Sequence, residues 1–222
     1  MKFRNKAIII LTVIVLATAA TVIANYRVTR FLEDHYGVNQ QYYSMGEIVP
    51  FGDNYLELHS ASMDGYAVCV ESAEVLTIDE LLAQLGQTED SLSALKITKS
   101  DLAEKVCLVS LTLANDNCSG PGVPLSELHL SGVNYDLFFD NTLTTLANSF
   151  LLERYQNEVG SSDQSGAMGV HLDQGTERRI YLVYDFFKGY FSANRWNHLE
   201  SENLTLDITY FPEKRTIELD VK

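Results

Sequence analysis

Lys105-Val-Cys-Leu-Val-Ser-Leu-Thr-Leu-Ala-Asn115 is the stretch on which the fold turns. Cys107, Val109, Leu111 and Leu113 fall on one side of it, and Leu108, Ser110 and Thr112 on the other. Successive side chains of an extended chain point to opposite faces, so this period of two predicts a core strand. Asn115-Asp116-Asn117 and then Ser119-Gly120-Pro121-Gly122 stop it, because these residues favour turns. An EF-hand register of acids, central glycine and closing glutamate is absent there, so turn chemistry explains the asparagines better than calcium does.

The same period recurs on both sides. Residues 47–51 and 55–59 read as short strands, and Tyr66, Val68 and Val70 alternate with Ala67, Cys69 and Glu71. Further on, 128–130 and 135–139 flank Gly132, and Ile180, Leu182 and Tyr184 alternate with Tyr181, Val183 and Asp185 over 179–186. Residues 203–211 and 215–221 read as a hairpin across Pro212-Glu213-Lys214. Helical signals are few. Thr77-Ile78-Asp79-Glu80 is a capping box, in which the threonine oxygen accepts an amide of the first turn and the glutamate reaches back. It predicts a helix over 77–85 that Gly86 closes. Residues 87–104 read as a loop with one helical turn, and 143–155 suit either helix or extended chain. Residues 193–199 read as one helical turn about Trp196, and 160–169 as a flexible Gly/Ser-rich loop. Seven or eight short strands with one or two short helices predict a mainly β fold, an antiparallel β-sandwich over 45–222. The helices that parallel crossovers need are missing.

The N-terminus is different in kind. Residues 7–24, AIIILTVIVLATAATVIA, carry no charge. As a helix at about 1.5 Å per residue the run reaches about 27 Å, close to the hydrocarbon thickness of a bilayer. Lys2, Arg4, Lys6 and the α-amino group precede it, and Arg27 and Arg30 follow. That balance predicts a single transmembrane helix with residues 1–6 in the cytoplasm, a stalk over 25–44, and the rest extracellular. The alternative is a cleaved signal peptide and a secreted product, since Ala17-Thr18-Ala19 and Val22-Ile23-Ala24 are small-residue cleavage sequences. Either fate exports the remainder.

Charge and cysteine content narrow the function. Residues 31–222 hold 11 basic and 30 acidic side chains, a net of −19. Such a domain repels phosphate backbones, so no nucleic-acid partner is expected. Cys69, Cys107 and Cys118 are odd in number and match no zinc spacing. Alternation puts Cys69 and Cys107 on different faces, which argues against a bridge between them.

Three of these segments resemble a known group. Met45-Gly46-Glu47-Ile48-Val49 with 66–74 is similar to the opening of the telokin-like, immunoglobulin-fold domains of unknown function found in envelope proteins of Gram-positive bacteria. Residues 106–115 resemble their second core strand, and Gly175 with 181–186 a late strand. The resemblance implies an extracytoplasmic, immunoglobulin-like domain behind an anchor or signal, with no catalytic residues to carry over. The insertion at 87–104 and the lack of a lipid-attachment cysteine depart from that pattern.

No constellation of chemistry stands out. His35, His59, His129, His171 and His198 form no HExxH pair, and there is no GxSxG elbow, P-loop or GxGxxG. No catalytic residue, metal ligand or cofactor is assigned. Glu71 with Glu74, and Asp136 with Asp140, are acid pairs of the kind glycoside hydrolysis uses, but a chain with 30 acids makes such pairs by accident. One feature suits recognition. Tyr184, Phe186, Phe187, Tyr190, Phe191 and Trp196 lie within 13 residues. Their plain role is to plug one end of the sandwich. Adjacent aromatics on a strand point opposite ways, so one of each pair would face outward, and Phe187, Tyr190 and Trp196 are the binding residues this reading selects. The expectation is therefore a non-enzymatic, membrane-anchored binding domain with an envelope protein as partner. A carboxylate-based envelope hydrolase and an accessory subunit of a membrane complex are the alternatives.

Overall fold

The computed structural model describes residues 39–54, 63–120, 122–151 and 169–222. The apolar run 7–24, most of the stalk, the strand expected at 55–59 and nearly all of the loop at 160–169 lie outside the described residues. Among the described residues, no helix is long and apolar enough to cross a membrane. The folded unit is Gln40–Lys222, mainly β with a few short helices.

The strand read first, β4 (Lys105–Asn115), lies inside a four-stranded sheet. Its neighbours are β3 (Tyr66–Thr77) and β9 (Thr176–Asp185), both antiparallel to it, and β2 (Val49–Pro50) pairs with β3 on the far side. A five-stranded sheet has the order β1-β11-β10-β6-β7, with β1 (Asn39–Ser44), β6 (His129–Gly132), β7 (Tyr135–Leu137), β10 (Thr205–Thr209) and β11 (Glu213–Glu218). β5 (Val123–Pro124) and β8 (Gly169–Val170) make a small third pair. Cys107, Val109, Leu111 and Leu113 of β4 join one apolar cluster with Leu130, Leu137, Leu206, Ile208 and Ile217 of the five-stranded sheet. Each such leucine buried contributes about 1.5–3 kcal/mol. The Tyr184 hydroxyl also ties the sheets, donating to the Leu128 carbonyl at 2.7 Å.

The structure departs from or completes the sequence reading at several places. The folded unit starts at Gln40, not at 45, because the end of the expected stalk forms β1; Tyr43 there packs on the core. β3 runs to Thr77 although alternation fails at Glu71. Val70 pairs with Leu111 and Ser72 with Ser110, so Glu71 is an extra, bulged residue. The bulge reverses the phase, and Ala73 and Val75 take over the inward face from Tyr66, Val68 and Val70. Residues 87–104 include a helix, α2 (Glu89–Ala94), capped by Thr88 and held by the fully buried Leu92. Ile97, Leu102 and Ala103 pack on the same cluster only partly buried, and their spacing from Leu92 follows neither a helix nor a strand. The ambiguous stretch opens as helix α3 (Asn141–Leu151).

These helices build a third layer. With α1 (Ile78–Gln84), whose Thr77–Glu80 capping box is present, they pack Leu81, Leu82, Leu92, Leu143 and Leu146 on Val106, Leu108 and Val183 of the four-stranded sheet. α3 also closes an edge. β9 is the last strand of its sheet, and the outward backbone groups of its second half meet α3 and Asp140 just before it instead of another strand. Asn148 accepts from Tyr181 N–H at 2.8 Å and donates to Tyr181 C=O at 2.6 Å. Thr144 Oγ1 accepts from Val183 N–H at 3.0 Å, and Asp140 N–H donates to Val183 C=O at 2.7 Å. Thr144 and Asn148 are fully buried, one helical turn apart. They satisfy an edge that would otherwise invite foreign strands.

Asn148→Ala leaves the Tyr181 amide and carbonyl without these partners and should lower stability by about 2–3 kcal/mol. Urea unfolding checks this against Thr145→Ala on the exposed side of the same helix; equal losses for the two would show that the side-chain cap contributes nothing.

Candidate functional site

The aromatic cluster grows out of the end of β9. Phe186 N–H still donates to the Lys105 carbonyl at 3.0 Å, so strand alternation continues past Asp185. Phe186 turns into the core, and Phe187 stands 56 % exposed. A 3₁₀ turn, Lys188–Tyr190, then reverses the chain and presents Tyr190, 57 % exposed. The Phe187 and Tyr190 rings meet edge-on at 5.8 Å.

What lies beneath makes this pair a platform. Tyr190 stacks nearly parallel on Tyr135, at 6.4 Å and 12°. Tyr135 lies over Gly132, where a Cβ would sit 2.3 Å from its ring. Only glycine allows that approach. Phe191 meets Tyr135 edge-on at 4.9 Å and also contacts Phe186 and Trp196. Among the described residues, the buried Tyr135 hydroxyl has no hydrogen-bond partner, and burial raises its pKa.

Trp196 is a correction. Sequence reasoning placed it on the binding surface, but it is 6 % exposed and part of the core. Ser192 caps the helix α4 (Ala193–Asn197), and the turn this starts carries Trp196 inward. The Lys105 ammonium donates to the Trp196 carbonyl at 2.9 Å. Lys105 and Lys188 lie 5.6 and 5.5 Å from the indole centroid, within cation–π range.

The cations near the platform have partners of their own. Arg195 makes a two-bond contact with Glu202, with Nε to Oε1 at 2.8 Å, and sits 5.4 Å from the Phe191 ring. The bonds from Arg195 lower the pKa of Glu202. Lys188 pairs with Glu104 at 3.1 Å. The platform is thus apolar, rigid and locally neutral on a strongly acidic domain.

The acids suggested by spacing each have a partner outside their pair. Glu71 pairs with Arg179 and Thr112, and Glu74 accepts from Gln84. Asp136 accepts from Ser131, whose hydroxyl also lies 2.7 Å from Asp207. Asp140 caps α3 through the Leu143 amide at 2.6 Å. The acid that sequence reasoning missed is Asp185, across from Val106. Burial, and then the charge of Asp140, push its carboxyl up to about 6. Among the described residues, its buried Oδ1 has no hydrogen-bond partner. No motif marks it; its burial and the nearness of Asp140 make its position unusual. Among the described residues, no three His, Cys, Asp or Glu side chains group as metal ligands, and Cys69, Cys107 and Cys118 are free thiols. Asn115 serves its turn, accepting from Cys118 N–H at 2.7 Å and donating to the Leu172 carbonyl at 2.7 Å.

A family model described as a domain of unknown function (DUF5028) matches residues 40–215, and the chain belongs to that family. The match begins where the folded unit does. No curated protein and no solved structure matches the chain.

Two outcomes follow from this geometry. Trp196→Ala should destabilise the domain by about 3–5 kcal/mol, whereas Phe187→Ala should change it by less than about 0.5 kcal/mol. Thermal unfolding separates them, and similar melting points would contradict the inward placement of Trp196. For Asp185, the folded state holds the proton more tightly than the unfolded chain, whose value is 3.8. Its protonation therefore stabilises the fold fully below that value, and the benefit is lost as pH rises through about 6. Asp185→Asn should add about 1–2 kcal/mol at pH 7, discounted because part of the carboxyl meets water, and should flatten the pH profile of unfolding between pH 4 and 7. An unchanged profile would refute the assignment.

Proposed function

We propose that this member of the DUF5028 family is a membrane-anchored, extracytoplasmic binding domain of the cell envelope, an immunoglobulin-like sandwich that takes a protein partner on the Phe187–Tyr190 platform. The observation that carries the reading is the platform itself. Two large aromatics are more than half exposed, side by side, on a base fixed by Tyr135 and Gly132. Leaving such side chains in water has a cost that packing elsewhere in the domain does not require. Preformed aromatic anchors, which lose little entropy on binding, are what protein interfaces favour. The apolar run 7–24 and its flanking charges support the anchor, and the net of −19 over 31–222 supports a soluble domain outside the membrane. Glu71, Glu74 and Asp140, three of the acids that would serve a hydrolase, are engaged in structural bonds, which favours binding over hydrolysis.

Crosslinking in intact envelopes tests this. The full chain should capture a partner that the Phe187→Ala/Tyr190→Ala double variant loses, while Ile48→Ala, exposed elsewhere, keeps it. Retention of the same crosslinks by the double variant would sink the platform. Failure of external protease to reach the domain in whole cells would sink the topology.

A further inference from the structure

We propose that the half of β9 that no described residue covers is an interface between two copies of this chain. α3 satisfies the outward backbone groups of Tyr181 and Val183, and its described part ends at Leu151. By the period of two, the next outward positions along β9 are Arg179 and Glu177. Among the described residues, neither has a backbone partner on that side. Among the described residues, nothing pairs with the outward side of the first five residues of the strand. Before Thr176 the chain turns away, through the Thr176 N–H to Asp173 C=O bond and Gly175 at φ +75°.

Those limits suit a second copy. In an antiparallel pairing about Arg178, the open stretch of each copy lies along that of the other. The partner's turn at Gly175 then takes its chain away close to where α3 begins to cover the edge. Glu177 faces the partner's Arg179, and Arg179 faces the partner's Glu177. Both positions carry outward amides and carbonyls, so each facing pair exchanges two hydrogen bonds. Both side chains are exposed. The charges are complementary in this register, which one kind of charge along the edge would not achieve. Like charges blunt an edge against any partner, whereas alternating ones select a register. The arrangement is a two-fold with the same patch on each copy. Two features oppose it: Arg179 already pairs with Glu71 of its own protomer, and like charges meet at the axis. Arg178 meets the partner's Arg178 at the axis, although it projects to the other face and is engaged within its own protomer. A short strand pair with those penalties makes a weak, reversible dimer. This interface is separate from the aromatic platform and does not rest on it.

Sedimentation of the full chain in mild detergent tests the inference by charge exchange. Glu177→Lys places like charges in both facing pairs, and so does Arg179→Glu, so each variant alone should dimerise about tenfold or more weakly than the wild type. In an equimolar mixture the two variants complement each other, and the dimer should return. Thermal unfolding confirms that each variant is folded, since Arg179→Glu also meets Glu71. A monomeric wild type at high micromolar concentration overturns the proposal. So do variants that sediment as the wild type does, which would place any self-association elsewhere, and so does a mixture no more associated than its parts.

Discussion

The hydrogen-bond ladder through β4 is the constraint from which the rest of this domain follows. That strand is paired along its length on both sides, by β3 from Tyr66↔Asn115 to Thr77↔Lys105 and by β9 from Asn115↔Thr176 to Val106↔Asp185. Its inward face is apolar from Cys107 to Leu113 and meets the five-stranded sheet. Of its outward face, Val106 and Leu108 join the second apolar cluster, and α1, α2 and α3 gather over that end. One strand thus dictates where two layers must sit, and the polarity of its second face dictates how far the third layer extends.

The inward face of that ladder was legible because it has one period and one environment. The third layer was not. Among the described side chains of 87–104, Leu92 is the one fully buried, and Ile97, Leu102 and Ala103 pack beside it partly buried, at neither helical nor strand spacing. α3 hid for a different reason. Two of the positions it buries are Thr144 and Asn148, polar residues that read as surface until the strand edge they satisfy is in view. The Glu71 bulge concealed the second half of β3 in the same manner, since a one-residue phase change looks like the end of a strand. Each of these failures is a tertiary contact overriding a local pattern.

The candidate site divides along the same line. Strand alternation was enough to send Phe186 in and Phe187 out, because the β9–β4 pairing continues to Phe186. Trp196 sits on a short helix whose orientation depends on Ser192 and on the core beneath, so its sequence position says nothing of its direction. The base of the platform was invisible in sequence for a further reason. Tyr135 and Gly132 belong to β7 and β6, more than fifty residues from Tyr190, and meet it only across the fold.

The burial of Trp196 gives the domain a built-in optical probe. It is the chain's single tryptophan, and it sits beneath Phe191 with two ammonium groups within 6 Å of its ring centroid. Indole emission responds to the field and polarity around the ring, and here both are set by Lys188 in the platform turn and by Lys105 on the central strand. The same fluorophore therefore couples optically to the loop that would receive a partner and to the strand that holds the fold.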